Sequence, residues 1–121
     1  MSTDASRVLH ASALETATGN GPEVIVRTKG KVDFVLDVTA KNTATTLDVV
    51  IQGRDAASGK WVQLFDDGDT PALLAFTQVG DATPTERITL PAGLADTYIR
   101  ASWIIVGTSY TFSVSMIAQD D

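Results

Sequence analysis

The side chains of this chain that could carry chemistry are few: one histidine, one tight acidic cluster, a set of flat aromatic rings and some scattered arginines. His10 is the only histidine in 121 residues. A histidine acts as a catalytic base when a nucleophile and an orienting carboxylate stand at a recognisable spacing, and none stands so around VLHASALETA. His10 therefore reads as structural. Asp66, Asp67 and Asp69 surround Gly68 and offer the carboxylate oxygens that a hard cation prefers. The cluster is too short for a calcium loop and lacks its closing acidic ligand. These three are the metal candidates of the chain, and the favoured reading is a solvated turn in which Asp and Gly serve backbone geometry. Trp61, Tyr98, Trp103 and Tyr110 are flat enough to stack on sugar rings if they share an exposed sheet face. Trp103 has apolar neighbours of its own parity (Ile99, Ala101 and Ile105) and reads as core, whereas Trp61 opens a strand beside a loop. Arg54, Arg87 and Arg100 follow no phosphate-binding pattern, and no glycine-rich loop precedes a helix. With no cysteine there is no disulfide, thiolate metal site or cysteine nucleophile. No cofactor and no enzymatic activity are expected.

Composition narrows the partners. A net charge of −6, with nine basic residues spread along the chain, argues against a surface that tracks nucleic-acid phosphates. No stretch approaches the roughly 18 apolar residues of a membrane span, and the N-terminus lacks the basic and apolar regions of a secretory signal. A hydrophobic fraction of 44% with 20% charged residues suits one folded domain of this length. The small polar residues 1–7 offer nothing to bury and read as a flexible N-terminal arm, which leaves residues 8–121 as a single domain.

The elements that would position these side chains are strands. Residues 31–52, KVDFVLDVTAKNTATTLDVVIQ, hold two runs of period-two alternation around a threonine-rich connection, which predicts a β-hairpin. Residues 97–106 and 110–118 alternate in the same way about Gly107-Thr108-Ser109, which predicts a second hairpin. GRDAASGKW has the Asp, Ser and Gly spacing of a hairpin loop. Thr18-Gly19-Asn20-Gly21-Pro22 reads as a chain breaker with positive φ at its glycines, and residues 66–71 and 91–96 read as turns. The apolar positions of VLHASALETA settle on no single period, and a strand is the preferred assignment over a short helix. About eight or nine strands at intervals of roughly ten residues, with no confident helix, predict an all-β, two-sheet antiparallel β-sandwich. Periodicity leaves immunoglobulin-like and jelly-roll strand orders both open.

Several pieces, taken together, resemble a family of small β-sandwich proteins encoded among the virion genes of tailed bacteriophages. They are LDVTA at 36–40, TLDV at 46–49, SGKW at 58–61, FTQ at 76–78, YIRA at 98–101 and VGTSYTFSV at 106–114. The pieces are strands and turns, and none is catalytic. The connection at 40–46 departs from the family's glycine- and serine-rich turn, and the first thirty residues match loosely. The resemblance implies a virion structural protein on the capsid surface, made in the host cytoplasm, that decorates or cements the major capsid protein lattice. A tail or head-fibre component and a glycan-binding module are the alternatives. On the decoration reading the chain forms a homo-oligomer, with a trimer favoured. Its arm residues Ser2, Thr3, Asp4, Ala5, Ser6 and Arg7 are then the candidate capsid contacts.

Overall fold

Each alternating run becomes a strand with one buried edge-to-edge row, but the pairing differs from the one that sequence proximity suggests. The computed structural model describes residues 3–26, 31–42, 45–64, 74–90 and 97–120. Among them the strands are β1 (Thr3–Glu15), β2 (Gly19–Asn20), β3 (Val24–Ile25), β4 (Val32–Lys41), β5 (Thr46–Arg54), β6 (Trp61–Gln63), β7 (Thr85–Leu90), β8 (Tyr98–Val106) and β9 (Tyr110–Asp120). A first sheet has the order β1-β9-β4-β7, and a second has the order β2-β8-β5-β6 with β3 also on β8. All pairs are antiparallel.

Two strand paths of the second sheet are interrupted. β2 and β3 lie end to end along β8, Gly19 opposite Trp103 and Val24 opposite Ile99. On the other side β6 pairs with the end of β5, and the same edge continues through bridges of Ala75 to Val50 and Val79 to Leu47, with Leu74 N donating to Leu64 O at 2.7 Å. Counting each interrupted path once, the sheets read 1-8-3-6 and 2-7-4-5 in chain order. Successive strands mostly change sheet, and this is the jelly-roll order of two interlocked Greek keys. The two-sheet β-sandwich expected from periodicity is therefore present, in the jelly-roll form.

Three expectations are corrected. The two arms within 31–52 do not form a hairpin: β4 pairs with β7 and β9, and β5 with β6 and β8. Nor do β8 and β9, which fall in different sheets. Alternation states that a strand has one buried face, and it is silent on which of two facing sheets that strand joins. The two crossovers instead pack on each other. Gly107 takes φ +116°, with Thr45 so close that a Cβ there would lie 2.4 Å from its Cγ2, while Asn42 N donates to Ser109 O at 3.3 Å and Asn42 Nδ2 to Ser109 Oγ. The glycines at 19 and 21 are not positive-φ positions; among the described residues those are Gly59 and Gly107. Gly19 and Gly21 serve close approach, because a Cβ on Gly21 would lie 2.2 Å from Leu9 O and one on Gly19 would press on the Trp103 ring at 3.2 Å. Lastly, the strand starts well before Val8. β1 takes in Thr3–Arg7, paired in register from Thr3 with Asp120 to Arg7 with Met116, where the sequence suggested a free arm. The GRDAASGKW hairpin is as expected, with Asp55 N donating to Lys60 O at 2.8 Å and Gly59 at φ +74°.

The core lies between the sheets, from Phe34, Leu36, Phe112 and Val114 on one side and Leu47, Val49, Ile51, Ile99 and Trp103 on the other. Trp103 is buried, as its same-parity neighbours predicted, and donates from Nε1 to Ala17 O at 3.1 Å. Truncating a ring of this size leaves a cavity that the neighbours fill only in part. Trp103→Ala should lower unfolding stability by roughly 3–5 kcal/mol in chemical denaturation, and a loss below about 1 kcal/mol would place the ring outside the core. Gly21→Ala should also destabilise, because the obstructing atom is a backbone carbonyl that cannot swing aside.

Candidate functional site

The side chains singled out for chemistry separate cleanly. His10 lies in β1, buried in the core. Its ring stacks on Phe112 with centroids 4.4 Å apart, meets Trp103 edge-on at 4.6 Å, and its Nε2 is 2.8 Å from Glu15 Oε2. Among the described residues its ring is packed by Phe112 and Trp103 and held by Glu15, the setting of a core histidine. Register shifts between Val8 and His10, and between His10 and Ala13, let the adjacent Leu9 and His10 both turn inward. Among the described residues no group of three or more His, Asp or Glu is placed to hold a metal ion. Asp66, Asp67 and Asp69 lie outside the described residues, as do Ser2 and the turn expected at 91–96. Of the other arm residues, Thr3, Asp4, Ala5, Ser6 and Arg7 belong to β1, and Arg7 is exposed.

The four aromatic rings do not share a face. Trp103 and Tyr110 are core residues, and the Tyr110 hydroxyl donates to Gly80 O at 3.0 Å. Trp61 and Tyr98 stand on the outer face of the second sheet, where strand register sets Trp61 beside Arg54 and Gln52 beside both Gln63 and Arg100. Each ring carries a guanidinium: Arg100 sits 4.3 Å over Trp61 and Arg54 sits 4.5 Å over Tyr98. Arg100 also donates from Nε to Gln52 Oε1 at 2.9 Å, and Arg54 reaches Glu23 at 3.3 Å. With one face of each ring taken by an arginine, the pair is a poor platform for stacked sugars. It is a good device for holding two planar cations in place, since stacking and a hydrogen bond restrict side chains that otherwise lose much entropy on binding. Farther along β8 the same face exposes Ile104 at 53% and Val106 at 62%. The sequence marked Trp61 and Tyr98 as ring candidates, but not the arginines that cover them. That signal lay in the register: residues two apart on β5 and β8 meet across the strands only once pairing is known.

The outer face of the first sheet is more polar in its middle strands, while its edge strand β1 leaves Val8 and Leu14 exposed at 59% and 62%. It carries Asp37, Thr39, Thr85, Arg87, Thr89, Thr111, Ser113 and Ser115, with Val35 and Ile117 half-buried among them. Asp33 is the most covered of its carboxylates, at 0% exposure, and accepts from Thr89 Oγ1 at 2.6 Å and from the Arg87 guanidinium. Burial pushes its pKa up, but the hydrogen bonds from Arg87 and Thr89 and the positive charges of Arg87 and Lys31 outweigh it, and the carboxyl titrates below its ordinary value.

The fold and these faces define a class: a jelly-roll sandwich with bare aliphatic side chains on both outer faces and two stacked arginine–aromatic pairs on the second. No protein-family model matches the chain, and no curated protein matches it. Among solved structures it is similar to the crystal structure described as SPBc2 prophage-derived protein YomS, with a TM-score of 0.61 at 14% sequence identity. The match covers 98% of this chain and 96% of that one. At such low identity the likeness speaks to the fold, from end to end.

The Asp33 cluster yields a pH test. Because the folded pKa is depressed, the stabilisation is complete above the unfolded value near 4 and is lost as pH falls through the lower folded value. Asp33→Asn should reduce the denaturation midpoint at neutral pH and flatten its fall at acid pH. An acid limb as steep as the parent's would assign that dependence to other carboxylates.

Proposed function

We propose that the chain is a non-enzymatic structural protein of a phage virion that decorates or cements the capsid surface, docking on the lattice of the major capsid protein as a homo-oligomer, with a trimer favoured. The observation that carries the reading is the set of aliphatic side chains left open on both outer faces. A free-standing sandwich gains by keeping both outer faces polar, and this one leaves Val8 and Leu14 open on the first sheet and Ile104, Val106 and Tyr98 open on the second. Two further points support it. Four of the six sequence pieces resembling virion sandwich proteins fall on β4, β5, β8 and β9, which belong to both sheets, and the other two lie on the hairpin into β6 and on the edge path that continues it. The structural neighbour that spans the whole chain is itself described as prophage-derived. Fold alone implies no function, and jelly rolls serve capsids, lectins and cupins alike, so the faces carry more of the argument than the topology does.

A decoration protein folds alone and then meets many equivalent sites at once, so modest contacts sum to firm attachment when several copies bind together. Protein added to shells that lack it should bind to saturation at a fixed ratio to the major capsid protein, and quantified virions should carry many copies. Only a few copies per virion, or co-purification with tails freed of heads, would sink the decoration reading in favour of the tail. Removing residues 1–7 strips the paired start of β1 and spares His10 and Glu15, so the shortened chain should stay folded yet bind shells more weakly.

A further inference from the structure

We infer that Asn20, followed by Gly21, is a site of spontaneous deamidation that the fold holds off, and that the reaction, when it takes the isoaspartyl route, keeps the first crossover from closing again. The inference is independent of the proposed function, since it concerns the chemistry of the chain itself. Three observations carry it.

The first is the dipeptide. An asparagine deamidates when the backbone nitrogen of the next residue loses its proton and attacks the side-chain Cγ. A bond from that nitrogen to Cγ forms, the bond from Cγ to Nδ2 breaks, and Nδ2 takes up a proton and leaves as ammonia. Water then opens the cyclic imide at either carbonyl, which gives an aspartate or an isoaspartate, and no electrons change hands. Glycine favours the attack because it has no Cβ to shield its nitrogen and turns freely about its backbone bonds. Asn20-Gly21 is the one Asn-Gly pair of the chain, and its other asparagine, Asn42, precedes the branched Thr43. Asn20 is exposed, so water reaches its amide and the imide that would form there.

The second is what restrains the nitrogen. Gly21 N donates to Ala101 O at 2.8 Å, and just before it Asn20 is paired with Ser102 and Gly19 with Trp103. Upstream the same crossover is tied by Trp103 Nε1 to Ala17 O at 3.1 Å and by Ile105 N to Thr18 Oγ1 at 3.2 Å. To reach Cγ, the Gly21 nitrogen must leave Ala101 O and the Asn20-Gly21 peptide must rotate out of its strand path. The reaction therefore waits on a local opening, and its rate in the folded chain is scaled down by the fraction of time the crossover is open.

The third is the room left for the product. A Cβ on Gly21 would lie 2.2 Å from Leu9 O, and one on Gly19 would lie 3.2 Å from the Trp103 ring, so the backbone on both sides of Asn20 runs without slack. An isoaspartate carries the main chain through its own Cβ and lengthens it by one carbon between Cα and the next nitrogen. Gly21 then cannot keep its place against Leu9 and Ala101 while residue 20 keeps its pairing with Ser102. The aspartyl product leaves the backbone as it was, and its side chain stands in water.

Incubating the full chain at mildly alkaline pH, folded and in denaturant, with peptide mapping over time, tests this. Residue 20 should gain the mass of an amide-to-acid exchange in denaturant, and should do so at least about tenfold more slowly when folded, the factor that ~1.4 kcal/mol of opening free energy supplies. Trp103→Phe, which removes the donor to Ala17 O, should speed the reaction in the folded chain. If that change unfolds the sandwich, Thr18→Val, which removes the acceptor of Ile105 N, takes its place with the same direction expected. Returned to native conditions, the aspartyl form and the variant Asn20→Asp should recover the parent's denaturation midpoint, and the isoaspartyl form should not. Equal rates in folded and denatured chain, modification that spares residue 20, or an isoaspartyl form with the parent's midpoint would each overturn the inference.

Discussion

A sandwich of two sheets has to be shut along both sides, and the side between β1 and β2 depends on Trp103. Its indole lies on β8 in the second sheet but packs edge-on to Phe112 of the first, with centroids 5.4 Å apart, and edge-on to His10. Its Nε1 donates to Ala17 O in the connection that carries the chain from one sheet to the other. An indole donor buried without an acceptor costs a good part of what the ring's burial gains, so this bond lets the largest core residue sit at a seam. The approach also requires glycine: Gly19 lies against the indole and Gly21 against Leu9 O. Ring, acceptor and the two glycines therefore form one constraint, and the first crossover of the jelly roll is drawn against it.

The opposite side is shut by polar means. Glu86 on β7, the free edge of the first sheet, accepts from Thr77 N at 2.7 Å and from Thr77 Oγ1 at 2.9 Å, on the edge of the second. A carboxylate that reaches across in this way occupies backbone donors which would otherwise invite another strand. One seam is thus hydrophobic and deep, the other shallow and hydrogen-bonded. The buried His10 belongs to the first. Glu15 engages its Nε2, while Nδ1 has no hydrogen-bond partner among the described residues, so the ring earns its place mainly through its stack on Phe112.

How far the fold was legible follows from what each signal measures. Period-two alternation reports a buried face, so it placed β4, β5, β8 and β9 and the burial of Trp103 correctly. It contains no information on sheet membership, so both long hairpins were misread: the partners of β4 are far away in the chain, at β7 and β9. Where the alternation failed, in VLHASALETA, the cause is physical. Two register shifts reset which parity points inward, and Leu9 and His10 are both buried. The glycines at 19 and 21 were read through torsion preference, but their role is steric and is visible only when β1 and Trp103 are in place. Trp61 and Tyr98 were visible as candidate rings, with Trp61 set apart from the core because it opens a strand beside a loop. Their arginines were not, because cross-strand neighbours are a property of register.

The same distinction bears on function. The core pieces that resemble virion sandwich proteins are those any jelly roll of this size must satisfy, so they identify a scaffold rather than an act. What a scaffold does is set by residues the core does not require. On the first sheet's outer face these are Thr, Ser and Asp side chains that pair locally, as Thr85 does with Asp37 and Thr89 with Asp33, beside the bare Val8 and Leu14 of β1. On the second they are two stacked cation and aromatic pairs followed by bare aliphatic side chains. Local hydrogen bonding serves the arginines of that second set, through Gln52 and Glu23, but not Ile104 and Val106, which gain only by leaving water. The aliphatic side chains that both outer faces leave in water are therefore the residues the fold does not use, and with an arginine already over one side of Trp61 and of Tyr98 the second face is a poor platform for a stacked sugar ring.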